Sequence, residues 1–114
     1  MGVACAYRDG LSESNRVRFQ EGFGISWIAT TCVLELADSS HALLAKRLAD
    51  AGIETRHWWG IGAHAHPATT AFPRTALAVT ESLARSTIAV PFFRDIQPDQ
   101  IRNVVDGILE ATTA

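Results

Sequence analysis

Between Ser26 and His57 the chain changes its apolar period twice, and this restricts the fold more than any other feature of the sequence. SWIATTCVLEL (residues 26–36) is β-branched and apolar, with Ile28, Cys32, Leu34 and Leu36 on one parity, so it is expected to be a central strand. Asp38-Ser39-Ser40 supplies N-cap candidates for a helix running to about Ala51, with Leu43, Leu44, Leu48 and Ala51 in one arc. Lys46 falls on the opposite, water-facing side, with Asp50 four residues on as a surface partner. Gly52 suits the left-handed position just past a helix end, with Ile53 folding back on Leu48. Residues 53–57 then alternate and are expected to form another strand.

The flanks complete the pattern. Residues 1–12 are weakly helical, with Gly10 as a terminator, and Arg16 to Phe19 suit a brief strand before the Gly22–Gly24 turn. Residues 75–85 suit a helix, and Thr87 to Val90 a short strand ended by Pro91. Pro98 opens a last helix in which Ile101, Val104, Val105, Ile108 and Leu109 recur at helical spacing. The expected order is α-β-β-α-β-α-β-α. That implies an α/β (α+β) two-layer sandwich, a small mostly antiparallel or mixed sheet covered by helices. Residues 1–114 are expected to be a single small domain, large enough to bury roughly 65% of the unfolded surface.

Composition narrows the function classes. A net charge of −2 offers no electrostatic footprint for nucleic acid or an anionic membrane. No apolar run approaches the ~20 residues of a membrane span, and no signal-peptide pattern opens the chain. Cys5 and Cys32 lack the spacing of a disulfide framework or a zinc site, so a reducing cytoplasm is the expected compartment. Lys46 is the single lysine beside nine arginines, and chemistry that demands a lysine must use it or happen elsewhere.

GIETRHWWGIGAHAHPA (residues 52–68) carries the candidate site. Trp58 and Trp59 are too large, as neighbours, to bury on one face of a strand, so at least one should be exposed or pressed on another surface. Arg56 could clamp a phosphate or carboxylate, or form a surface ion pair with Glu54 and Asp50. His64-Ala-His66 would be a feasible metal pair in a strand, yet no carboxylate or cysteine lies between Glu54 and Glu81 to complete a site, and no metal is expected. A polar loop facing a substrate cleft fits better. Phe92-Phe93 marks a further contact surface, either core or partner. No nucleophile–base arrangement stands out, and Ser39 and Ser40 suit helix caps.

In this order the sequence resembles the C-terminal small domain of the DegT/DnrJ/StrS family, pyridoxal-phosphate-dependent aminotransferases acting mainly on nucleotide-linked keto-sugars. The likeness runs through AYRDGL (residues 6–11), similar to an A-x-Y-x-x-x-L lead-in, and SWIATTCVLEL. It continues through LLAKRLADAGIETRHWW, the HAHPA loop, ESLARSTIAVPFFRDI and QIRNVVDGILE. The resemblance implies a fold like the C-terminal domain of fold-type I transferases, with Arg56, His57, Trp58, Trp59 and His64 on the substrate side. His64 best matches the family's loop histidine. The aromatic-x-Pro-x-His pattern lacks its proline here, and Trp59 to Ala63 make a longer bridge, which points to a different sugar or acceptor.

The resemblance also implies pyridoxal phosphate as cofactor of the complete enzyme, held as a Schiff base on a lysine. Lys46 is unlike that lysine, and no loop here suits the cofactor phosphate. The chain is therefore expected to bind no cofactor alone, to have no catalytic residue of its own and to be inactive by itself, the large domain being absent. Its implied partners are a separate large-domain chain or a homo-oligomer, with dimer assembly, and a nucleotide-linked sugar in the complete enzyme. The alternative is an autonomous binding module using the Trp58–His66 loop.

Overall fold

The computed structural model describes residues 2–37, 41–58 and 60–113. The expected caps Asp38-Ser39-Ser40 lie outside those residues, as does Trp59. The element order is α1 (Gly2–Gly10), β1 (Val17–Phe19), β2 (Cys32–Leu36), α2 (His41–Asp50), α3 (Ala78–Ser86), β3 (Thr87–Val90) and α4 (Pro98–Thr113), with a short 3-10 turn at Ala63–Ala65.

Three strands form one antiparallel sheet in the order β1-β2-β3. Val17 pairs with Leu36 and Phe19 with Leu34 on one side of β2, while Cys32 pairs with Val90 and Leu34 with Ile88 on the other. Strand residues two apart share a face, so this register aligns Val17, Cys32, Leu34, Leu36, Ile88 and Val90, all buried, as one apolar surface. Ala4 and Tyr7 of α1, Leu44 and Leu48 of α2, and Ile101, Val104, Val105 and Ile108 of α4 complete that core. The Tyr7 hydroxyl donates to the Pro91 carbonyl at 2.5 Å, fixing α1 to the end of β3.

Two predicted strands are shorter than their sequences suggest. Of residues 26–36 only Cys32–Leu36 pair, and Ile28 is 93% exposed rather than sharing the buried parity. Gly22 diverts the chain: Ile25 and Ser26 both donate to its carbonyl at 2.9 Å, which spends the start of the run in a turn. Residues 53–57 contribute one antiparallel bridge, Arg56 opposite Ala89, instead of a strand. Leu43 and Ala51 are exposed, so the buried face of α2 narrows to Leu44 and Leu48. The helix expected at 75–85 begins later, at Ala78.

The stop of α2 follows expectation. Gly52 has φ +79°, its N–H donates to Ala49 O at 2.9 Å, and Ile53 N–H reaches back to Leu48 O at 2.8 Å. These are the paired bonds of a Schellman stop, which only a left-handed C′ residue allows. Gly107 permits α4 to lie close to α2, since a Cβ there would sit 3.0 Å from Leu48. Gly24, at φ +70°, lets the turn after β1 rest on α1, where its Cβ would come within 2.6 Å of the Ala4 methyl.

Candidate functional site

The loop from Arg56 to His66 leaves the sheet edge at a rigid point. Arg56 N–H donates to Ala89 O at 2.9 Å and Ala89 N–H returns the bond to Arg56 O at 2.8 Å, so the Arg56 backbone is part of the sheet. Its guanidinium is otherwise lightly held: Nη1 donates to Thr55 O at 3.2 Å and Nη2 lies 4.0 Å from Glu54. An exposed pair at that separation contributes little, which leaves the fork available to an anion.

His57 turns the other way, into α3. Its Nε2 lies 2.8 Å from the Ala84 carbonyl, and a carbonyl only accepts, so Nε2 carries the proton. His41 repeats the arrangement with Nδ1 at 3.1 Å from Arg85 O, and the two imidazoles stack with centroids 3.8 Å apart. Both rings thereby satisfy carbonyls of the last turn of α3, which have no partner inside the helix.

His64 is held from the same helix. Its Nε2 is 3.1 Å from Glu81 Oε1, and its side chain is only 6% exposed against 45% for the carboxylate. Nδ1 of this ring is buried without a hydrogen-bond partner. His57 and His64 therefore pin the two ends of the loop to α3, one at Ala84 and one at Glu81. The Nε2 atom of each ring is engaged inward. His66 uses Nδ1 to accept from Ala68 N–H at 3.1 Å and caps a turn. His64 and His66 flank a residue of a 3-10 turn, not a strand, so they do not share a face as a strand pair would. Among the described residues no group of three or more histidine, cysteine, aspartate or glutamate side chains is placed to hold a metal.

Between the two pins the loop points outward. Trp58 is 56% exposed, and it lines a hollow of about 260 Å³ with Arg56, Thr30, Phe92 and Phe93. An indole face, a guanidinium and a hydroxyl around one hollow suit a ring-bearing, anionic or hydroxylated ligand. The structure thus brings Arg56 and Trp58 together at an open surface and sends His57 and His64 beneath it. Sequence reasoning missed Glu81 and His41 as partners of these imidazoles. Their only signal was helical placement, because the partners lie 16 and 17 residues away along the chain.

A small antiparallel sheet with helices packed on one face and a loop stapled to α3 is a domain found in aminotransferases. Aligned with the DesI protein crystallised in the presence of its TDP-sugar product, 96% of this chain superposes at TM-score 0.81 and 25% identity, covering 29% of that chain. The aminotransferase TlmJ from Streptoalloteichus hindustanus gives TM-score 0.78 and 23% identity over 98% of this chain and 31% of its own. The sugar aminotransferase CalS13 from Micromonospora echinospora gives 0.74 and 23% over 94% and 28%. The chain belongs to the DegT/DnrJ/EryC1/StrS aminotransferase family, whose model matches residues 2–109. It spans less than a third of the length of these solved relatives. No curated protein sequence matches it.

The cofactor of such enzymes does not fit the residues of this chain. Lys46 is on the outer face of α2, its side chain 74% exposed and 3.4 Å from Asp50. The surface around it is a shallow depression bordered by Ala45, Ala49 and Gly52, without an enclosing wall or an aromatic stack. An exposed amine paired with Asp50 in an open depression lacks the enclosed pocket in which a Schiff base is held. Among the described residues no helix is long and apolar enough to cross a membrane.

Proposed function

We propose that this chain is the C-terminal small domain of a pyridoxal-phosphate-dependent aminotransferase acting on a nucleotide-linked sugar, and that it is inactive alone. The observation that carries this reading is the family match over residues 2–109 together with an exposed, carboxylate-paired Lys46 as the single lysine. A relative with a TDP-sugar product and 25% identity supports the substrate class. In this reading residues 1–114 form one small domain, and a large domain supplies the cofactor anchor. Arg56 and Trp58 meet the substrate, with the anionic nucleotide portion opposite the guanidinium and the indole against a ring. Trp59, adjacent to Trp58 in sequence, is assigned to the substrate with them. His57 and His64 set the height and angle of the loop from α3.

The test uses the purified chain. Incubated with pyridoxal phosphate and desalted, it should retain no visible Schiff-base absorbance and aminate no sugar. Covalent cofactor on Lys46 at one equivalent, or turnover of an amino donor by the chain alone, would refute the proposal. Once assembled with a family large domain, Arg56→Ala should raise KM for the nucleotide sugar by about tenfold, the loss of one charge-assisted contact, with a smaller change in kcat. The matches to known proteins lend nothing to the autonomous binding module.

A further inference from the structure

The sheet has a second face. In β2, Cys32, Leu34 and Leu36 belong to the core, so Val33 and Glu35 between them point the other way. α3 borders this outer face without burying a residue of its own, and the turn at Gly62 and Ala63 closes one side. These elements enclose a hollow of about 480 Å³, within the range of roughly 300–1,000 Å³ usual for small-molecule sites. It shares no lining residue with the hollow beside Arg56 and Trp58. Gly62, at φ +96°, lets the turn come up against α3, since a Cβ there would stand 3.1 Å from the Thr80 methyl.

The walls are apolar at Val33 and Leu83, and the polar end selects the ligand. Arg18 and Glu35 stand directly opposite each other in the β1–β2 register, and Nη2 lies 2.7 Å from Oε1. This pair engages one guanidinium nitrogen and one carboxylate oxygen, and its charges cancel. What it offers a ligand is an acceptor beside donors, not a net charge. An anion placed there meets the carboxylate, and a cation meets the guanidinium. A neutral group with a donor next to an acceptor satisfies both. The geometry points to a binding site for a small uncharged ring with an amide-type edge. The ring lies between Val33 and Leu83, its N–H donates to Glu35 and its carbonyl accepts from Arg18. This assignment is independent of the aminotransferase reading, because it uses none of the residues placed against the sugar substrate.

Benzamide is the probe, titrated into the isotope-labelled chain and followed by amide resonances, with benzoate and benzylammonium as charged counterparts of similar size. Benzamide should shift Val33, Gly62, Leu83 and Ala84 saturably, with a Kd on the order of 1 mM for so small a molecule. Benzoate and benzylammonium should bind about threefold more weakly or worse, each meeting a like charge. Glu35→Gln leaves Arg18 unopposed, so benzoate should then bind more tightly than benzamide. Arg18→Met leaves Glu35 unopposed and should favour benzylammonium, an independent reading if the first variant does not fold. Shifts centred on Arg56 and Trp58, or no saturable shift at all, would overturn the site. So would an order of preference that stays the same in a folded variant.

Discussion

Gly24→Ala offers a stringent test of how the turn after β1 is fitted to α1. Two costs combine at this position. The φ of +70° puts an alanine in the left-handed region, at about 1–2 kcal/mol. Its methyl would also stand 2.6 Å from the Ala4 methyl, closer than two carbons can approach, so α1 or the turn must shift at about 1–3 kcal/mol. The sum is roughly 2–5 kcal/mol. Ala4→Gly separates the two. Alone it costs about 2 kcal/mol, from a lost buried methyl and a glycine inside a helix. In the double variant the methyl–methyl contact no longer exists while the left-handed cost persists. The two changes should therefore fall short of additivity by about 1–3 kcal/mol. Urea unfolding followed by far-ultraviolet circular dichroism measures this, provided the m-values agree. A coupling below about 0.5 kcal/mol would refute the packing of Gly24 on Ala4.

Three other outcomes follow from single features. Gly52→Ala meets no atom within 4 Å of the new Cβ, so its cost should be the left-handed backbone alone, about 1–2 kcal/mol in the same urea assay. Burial pushes the Cys32 thiol up from its ordinary 9.0 to about 12, so above pH 9 the unfolded chain releases a proton that the folded one keeps. Stability is unaffected by this group below pH 9 and should fall by about 1.4 kcal/mol per pH unit towards pH 12, a slope that Cys32→Ala removes. Tyr7, raised by burial and by the Cys32 thiolate, adds a fall of the same sign at higher pH. Glu81→Ala frees the His64 end of the loop: exchange at residues 60–66 should quicken, while global stability drops by only about 1 kcal/mol because the carboxylate is half exposed.

Much of this architecture was legible before any coordinates, and the exceptions have physical causes. The helical repeat in α4 and the Gly52 stop each depend on neighbours in sequence, and both emerged as expected. Residues 26–31 misled because strand propensity describes what a backbone favours when a partner strand exists, and among the described residues the run makes only an isolated bridge, Trp27 with Phe23. Ile53 to His57 alternated correctly but sits at a sheet edge, where one bridge with Ala89 is all the neighbour β3 provides. At the site, Arg56 and Trp58 were recognisable from residue type. The inward turn of His57 and His64 was not, because it depends on unpaired carbonyls and a carboxylate of α3 that become neighbours only after folding.

α3 buries no residue of its own, although it anchors both ends of the Trp58 loop through His57 and His64. A helix so lightly seated and bolted to a loop at two points cannot shift without carrying that loop or breaking one of the bonds. Thr80, Leu83 and Ala84 of α3 face a hollow of about 480 Å³ beside Val33 and Glu35 of β2 and are not packed into the core. The loop that carries Trp58 thus hangs on the one helix that the core holds least.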